Sequence, residues 1–144
     1  MKTYDILHNI YYNRLTDQQA NIILEQAYED FHAGKLKIDP REYTNMTYSE
    51  LTLLLLYSLP YSFIAKWRYE GWPISCAMCD KPIDADLDGW SFSRSLKIKH
   101  VEIKNTLICL KCADVLASIF MRKKAVSLKK LHRKRKNRRR FVSK

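Results

Sequence analysis

Four cysteines form the clearest chemical pattern in this chain of 144 residues. They make two pairs with the same internal gap of two residues, Cys76 with Cys79 and Cys109 with Cys112. Such a gap lets both sulfurs of a pair reach one ion from a tight turn, and four thiolates suit tetrahedral Zn²⁺. The spacing therefore predicts one zinc ion. Four protein ligands fill its coordination sphere, so the ion would be structural rather than catalytic.

Two other uses of the four cysteines stay open. Two structural disulfides would need an oxidising compartment, and the N-terminus shows no recognisable signal peptide. An iron–sulfur cluster is possible, although its usual cysteine spacings are absent. A site built only from sulfur disfavours Mg²⁺ and Ca²⁺, which prefer oxygen ligands.

The segments around the cysteines predict the elements that hold them. Residues 76–83 are typical of a zinc knuckle, and a loop rich in aspartate follows. Residues 96–103 predict a strand, Lys104 and Asn105 a turn, and residues 106–108 a second strand. The second cysteine pair leads into residues 113–120, whose apolar positions have helical spacing. The predicted order is knuckle, hairpin and then a helix whose first turn carries the second pair.

This order resembles a treble-clef zinc finger, and residues 76–116 are similar to the zinc-stapled modules of HNH endonucleases. In that resemblance Asn105 falls near the middle Asn of the family. The chain departs from the family where catalysis would occur, because the Asp-His pair of the first strand is missing. His100 is the only histidine between the cysteine pairs, and it follows Lys99. The resemblance therefore implies the fold, and a divergent HNH-type nuclease using His100 and Asn105 is the enzymatic alternative.

Positive charge is concentrated at the C-terminus. The net charge is +11, and residues 122–144 contain 13 of the 26 Lys and Arg residues and no acid. Residues 1–121 then hold 13 basic and 15 acidic residues, a net charge of −2. This asymmetry predicts a basic arm that meets a polyanion and that is disordered or a frayed helix when unbound.

A second basic region is predicted on the hairpin, with Trp90 and Phe92 beside it, and a face of this kind can hold a nucleic acid backbone and stack bases. A solvent-exposed strand face over a buried Trp90 is the alternative. The residues expected to contact DNA or RNA are Arg94, Lys97, Lys99, Lys104, Lys129, Lys130, Arg133, Lys134, Arg135, Lys136, Arg138, Arg139 and Arg140.

The N-terminal half predicts a helical bundle. Thr16 with Gln19, and Thr47 with Glu50, have the spacing of capping boxes that open helices. A short helix is expected within residues 3–14, and another over residues 61–69 after Pro60. The uncharged stretch 51–65 is too short for a membrane span and is expected to be buried core. The last two helices could also form a helix-turn-helix that offers Lys66, Arg68 and Tyr69 to DNA.

These patterns predict a mainly α fold with a small α+β zinc module. The expected parts are a helical domain (1–72), a treble-clef domain (73–121) and a basic arm (122–144). The expected function is zinc-stabilised nucleic-acid binding, as in a phage or viral accessory or transcription-regulatory factor. Docking on a polymerase or ribonucleoprotein is the further alternative. No membrane or small-molecule partner is expected, and the expected location is the cytoplasm, or the nucleus in a eukaryote.

Overall fold

The computed structural model describes residues 2–87 and 89–142. For 127, 128, 131, 132 and 134–142 it describes only the backbone. Over these residues, six helices and a two-stranded antiparallel sheet form a mixed α and β fold. The helices are α1 (Ile6–Tyr11), α2 (Asp17–His32), α3 (Pro40–Tyr43), α4 (Tyr48–Leu55), α5 (Tyr61–Glu70) and α6 (Leu110–Val142). The strands are β1 (Trp90–Ile98) and β2 (Val101–Cys109).

Both predicted capping boxes are confirmed. The Thr16 hydroxyl accepts from the backbone N–H of Gln19, whose side chain accepts from the backbone N–H of Thr16. Thr47 and Glu50 make the same reciprocal pair at the start of α4. Each box satisfies N–H groups that have no partner inside the helix, which fixes where the helix begins.

The main core lies between the N-terminal helices. α1 supplies Ile6 and Leu7, α4 supplies Leu53 and α5 supplies Ile64, and none of these four side chains is exposed. The stretch predicted to be core is only partly buried, because Leu55 and Leu56 point to solvent. Within the described residues, no helix is both long enough and apolar enough to cross a membrane.

The connector between α2 and α4 contains a helix that the sequence did not predict. Asp39 caps this single turn by accepting from the backbone N–H of Arg41, and Pro40 occupies its first position. Proline suits that position because its fixed φ angle matches a helix and its missing N–H is not needed there. Thr44 ends the turn, fully buried, by donating from its hydroxyl to the Pro40 carbonyl.

The hairpin differs from its prediction. β1 and β2 pair from Trp90 opposite Cys109 to Ile98 opposite Val101, so the turn is formed by Lys99 and His100. Both turn residues have positive φ angles, +48° and +68°, as a two-residue hairpin turn with the right twist requires. The predicted turn at Lys104 and Asn105 is wrong, although Asn105 does adopt a left-handed φ of +54° inside β2.

The base of the hairpin joins the helical core to the cysteines. Phe92 and Leu107 pack in the same apolar cluster as the N-terminal helices, whereas Ile108 packs beside Cys76. Leu107 and Ile108 are neighbours in β2 and point to opposite faces of the sheet. β2 therefore contributes side chains to the apolar clusters of both regions. The domain boundary predicted near residue 72 remains a prediction.

The C-terminal region, for which disorder or a frayed helix was predicted, is helical. α6 begins directly after β2 and continues for 33 residues, through most of the segment expected to be disordered or frayed. At about 1.5 Å per residue, this helix is about 50 Å long. Its first turns pack on the hairpin through Ala113 and Leu116. The last two residues of the predicted arm, 143 and 144, lie outside the described residues.

Candidate metal centre and basic surface

The first cysteine pair lies on a tight turn between two short extended segments. Ser75 and Pro82 form an antiparallel bridge. Inside it, the Cys76 N–H donates to the Lys81 carbonyl at 2.8 Å, and the Asp80 N–H donates to the Cys76 carbonyl at 2.9 Å. These bonds close the chain over residues 76–81, which brings the Cys76 and Cys79 sulfurs to the same site.

The second pair lies where the strand becomes a helix. Cys109 is the last residue of β2, and Cys112 lies in the first turn of α6. The Ala77 N–H donates to the Leu107 carbonyl at 3.1 Å, which fastens the turn of the first pair to β2. Two separate backbone elements thus converge on one point, and each contributes two sulfurs.

A metal ion fits the four sulfurs. All four Sγ atoms lie within 4.8 Å of one another, and those of Cys79 and Cys109 are 3.8 Å apart. In a regular tetrahedron with a Zn–S bond of about 2.3 Å, the sulfurs are about 3.8 Å from one another. The predicted cluster is therefore confirmed as a group that can hold a metal. Its all-sulfur donor set is that of a structural zinc site.

The protein environment favours a thiolate at the centre of this group. Burial raises the pKa of the Cys76 thiol, but hydrogen bonds from the backbone N–H groups of Cys109, Cys79 and Met78 outweigh burial and lower it to about 6. The hydrogen bond with the Cys109 thiol, together with burial and the other two sulfurs, raises the pKa of Cys112 to about 12. The cluster cannot hold four bare negative charges, and a divalent cation in place of the protons removes that repulsion.

The predicted basic residues of the hairpin do not form one face. Arg94 donates from its guanidinium to the Tyr57 carbonyl and is thus committed to the helical region. Lys97 lies opposite the acid Glu102 in the strand register. Lys104 shares that face, and Lys99 lies in the turn. The hairpin therefore offers three exposed lysines, and the surface between them is less positive than the sequence suggested.

The other predicted nucleic-acid-binding residues all lie on α6. The side chains of Lys129, Lys130 and Arg133 are exposed to solvent. The remaining predicted residues are on the same helix, and their side chains lie outside the described part of the structure. They are Lys134, Arg135, Lys136, Arg138, Arg139 and Arg140.

The helix-turn-helix hypothesis requires a free Arg68, but this side chain is bound within the protein. This side chain is tied into a cluster that the sequence did not reveal: it donates to Glu50 at 2.5 and 2.6 Å and to Asp5 at 2.8 Å. The hydrogen bonds and charges of these carboxylates outweigh burial and hold the pKa of Arg68 above its usual value. Burial raises the pKa of Asp5, and the bonds from Asn45 and the His8 N–H, together with Arg68, bring it below its usual value.

The Arg68 cluster is structural, because Glu50 is almost fully buried and both charges find partners inside the protein. Glu50 serves two elements at once, since it also accepts from the Thr47 N–H at the start of α4. No sequence signal pairs residues 5, 50 and 68, which meet only when α1, α4 and α5 pack. Arg68 is not available to read DNA.

The hairpin does not bring together the two residues that the nuclease alternative requires. His100 is exposed in the turn, and Asn105 lies five residues further along β2. Five residues of strand span about 16 Å, so these two side chains do not converge on one Mg²⁺ ion.

Comparisons of the chain with protein-family models, with curated proteins and with solved structures found no match. The site is therefore interpreted from its own geometry.

Proposed function

We propose that this chain is a zinc-stabilised nucleic-acid-binding protein. In this proposal the four cysteines hold one structural Zn²⁺, and α6 is the main binding element. The chain order of knuckle, hairpin and helix supports its interpretation as a treble-clef zinc finger. The zinc would supply folding free energy and a fixed starting point for α6, and the ion would take no part in a reaction.

One observation carries the proposal. The helix that contains half of the Lys and Arg residues begins at the metal centre, with Cys109 just before it and Cys112 in its first turn. Residues 110–142 contain 13 Lys or Arg residues and one acid, Asp114. An α-helix fits the width of the DNA major groove, and the positive charge of this helix has the sign that attracts phosphates. Its affinity would come mainly from phosphate contacts, which release bound counterions.

The hairpin would act as a secondary contact. Lys97, Lys99 and Lys104 are exposed on the outer part of the hairpin, and Arg94 is excluded because it bonds to the helical region. These three lysines can touch phosphates that flank those contacted by α6. They fix the position of the nucleic acid and add little sequence information.

The experiment is a titration of labelled duplex and single-stranded oligonucleotides, read by fluorescence anisotropy at several salt concentrations. The variant Lys129→Gln/Lys130→Gln/Arg133→Gln removes three exposed positive charges from α6. We expect its affinity to fall by about tenfold or more, and the slope of log K against log salt to become shallower by up to about three. The matched variant Lys97→Gln/Lys99→Gln/Lys104→Gln removes equal charge from the hairpin and should have the smaller effect.

A larger loss of affinity in the hairpin variant than in the α6 variant would assign the main binding site to the hairpin. An absence of binding to any oligonucleotide by the zinc-loaded full-length chain would overturn the proposal. Comparison of the duplex with the single strand also assigns the class of nucleic acid, which the charge pattern leaves open.

A second candidate function is docking on a polymerase or ribonucleoprotein. It is favoured by an apolar patch on α4, where Tyr48, Leu55 and Leu56 are exposed on one side of the helix. Such a patch on a small protein indicates an interaction surface. Truncation after Phe120 distinguishes the two functions, because it removes most basic residues of α6 and leaves α4 intact. If the chain binds nucleic acid through α6, the truncated chain loses that binding. If the chain docks on a protein through α4, the truncated chain still binds its protein partner.

A further inference from the structure

A groove beside α2 is an apolar surface that the protein leaves uncovered. It has a volume of about 310 Å³, and its lining includes Ile22, Ile23, Ala27, Leu36, Tyr43 and Asp30. Ile22 is 59 % exposed although it lies in the middle of a helix. Apolar side chains of this size are stabilised when a partner covers them, so the groove has the properties of a docking site for apolar side chains.

The α2 side of the groove is acidic, and the segment that contributes Leu36 and Tyr43 also carries Lys35, Lys37 and Arg41, so that residues 17–43 together have a net charge of −3. α2 contains Asp17, Glu25, Glu29 and Asp30, and no Lys or Arg. An occupant of the groove would therefore be favoured if it were basic as well as apolar.

α6 has both of these properties. Beyond Leu116, every side chain that the structure describes on this helix is exposed. Ile119, Phe120 and Val126 project into solvent next to the positive charges of Arg122 and Lys123. An exposed apolar strip flanked by basic residues complements an apolar groove flanked by carboxylates.

The groove and the helix must come from different copies of the chain. Residues 110–142 contain no Gly or Pro, and α6 is continuous, so nothing in its sequence provides a sharp bend that would return it to its own body. A side-by-side pair of α6 helices is disfavoured, because each carries a net charge of +12 over residues 110–142. α2 instead presents a net charge of −4 over residues 17–32, with histidine counted as neutral.

We propose that the groove beside α2 binds the segment of α6 around Ile119 and Phe120 from a second copy of this chain. The two surfaces are different patches, so the contact is heterologous and runs head to tail. Each copy in an assembly then uses its groove on one neighbour and its helix on the other. The inference does not depend on nucleic acid binding, since it rests only on the apolar surfaces and charges of the chain.

The test uses two variants that each disable one surface. Ile22→Lys places a positive charge in the groove, and Phe120→Ser removes the largest apolar side chain from the helix strip. Both positions are exposed, so zinc content and far-UV circular dichroism should be unchanged. Ile74→Lys is the matched control, because Ile74 is 80 % exposed and lies outside the groove.

Sedimentation equilibrium of the zinc-loaded full-length chain should show association that strengthens with concentration. Each of the two variants alone should lower the association constant at least about tenfold, and the control should leave it unchanged. In an equimolar mixture of the two variants, Phe120→Ser supplies an intact groove and Ile22→Lys supplies an intact α6. The mixture should form a complex of two chains and should not grow further.

Three results would overturn the inference. The first is a wild-type chain that stays monomeric at all concentrations reached. The second is a loss of association with Phe120→Ser but not with Ile22→Lys, together with no rescue in the mixture, which would assign the contact to paired α6 helices. The third is association that neither variant weakens, which would place the contact elsewhere on the surface.

Discussion

The helical region and the metal-binding region are held together by different means. The helical region has a contiguous apolar core of completely buried side chains, with Ile6, Leu7, Leu53 and Ile64 at its centre. Among the described residues around the cysteines, the buried apolar side chains are Leu96 and Ile108, apart from Cys76 and Cys109 themselves. A few apolar residues do not offset the conformational entropy of the turn and the hairpin that they order. We therefore expect the second region to depend on a bound metal for its order and the first to fold without one.

The two regions also differ in whether their charged side chains are paired within the protein. In the helical region, Arg68 is neutralised by Glu50 and Asp5 inside the protein. On α6, the exposed Lys129, Lys130 and Arg133 have no ion-pair partner among the described residues. Charges satisfied within the fold stabilise one structure, whereas unsatisfied charges on a projecting helix attract an external polyanion. We therefore expect the first region to stabilise the fold, and we propose the second as the binding region.

The largest expected effect is the loss of the metal centre. Cys76→Ser removes the most buried thiolate, and a serine hydroxyl does not replace it as a zinc ligand at neutral pH. The zinc content should fall from one per chain to nearly zero, as measured by atomic emission. Since structural zinc contributes on the order of 10 kcal/mol to small domains, the region around the cysteines should lose its order. Met78→Leu, in the same turn, should keep its zinc.

The next largest effect is expected at the buried ion cluster. Arg68→Met leaves Glu50 buried without a positive partner, which should cost about 3–5 kcal/mol in urea unfolding experiments. The double variant Arg68→Met/Glu50→Gln removes the uncompensated charge while an amide can keep the helix cap. It should recover part of the loss. Equal stability of the single variant and the wild type would mean that the cluster does not hold α1, α4 and α5 together.

A smaller effect is expected from Tyr61 at alkaline pH. Its folded pKa of about 12 lies above the ordinary value of 10.0, because burial and nearby carboxylates disfavour the phenolate. The unfolded chain ionises first, so this tyrosine makes stability fall as the pH rises from about 10 to about 12. Tyr61→Phe should flatten that part of the profile of urea midpoint against pH. Tyr48→Phe, at an exposed tyrosine, should leave it unchanged.

The smallest effect is expected at the helix caps. Thr16→Ala and Thr47→Ala each remove a hydroxyl that accepts from a backbone N–H, at a cost of about 1 kcal/mol. Thr52→Ala is the control, because Thr52 lies within α4 and caps nothing. It should change stability by no more than a few tenths of a kcal/mol. If all three variants were equal, capping would not determine where these helices begin.

Local patterns in the sequence predicted the features that depend on neighbouring residues. The caps of α2 and α4 were predicted because each signal lies within four residues, and the cysteine cluster because two pairs with metal-binding spacing have few other uses. The hairpin was placed wrongly, because Asn105 carries the stronger turn signal while Lys99 and His100 carry almost none. Strand pairing from Trp90 to Cys109 overrides that signal and leaves Asn105 left-handed within β2.

Features that depend on packing between distant segments were not predictable. The Arg68 cluster joins residues 5, 50 and 68, and Arg94 bonds to Tyr57 across 37 positions of sequence. No periodicity links such pairs, so Arg68 and Arg94 appeared to be free basic residues. The extent of α6 was left open for another reason: like charges indicated disorder or a frayed helix, although Lys and Arg are good helix formers and no Gly or Pro interrupts the segment.

Hydrogen–deuterium exchange of the full-length chain, with one equivalent of zinc and after chelation, tests the central comparison most directly. Chelation should remove protection from residues 74–83 and from the first turns of α6, while the amides of α2 and α5 remain protected. The base of the hairpin should respond less than its tip, because Phe92 and Leu107 belong to the helical core. Protection that is unchanged everywhere, or lost everywhere at once, would contradict the division of the protein into a self-sufficient helical region and a metal-dependent one.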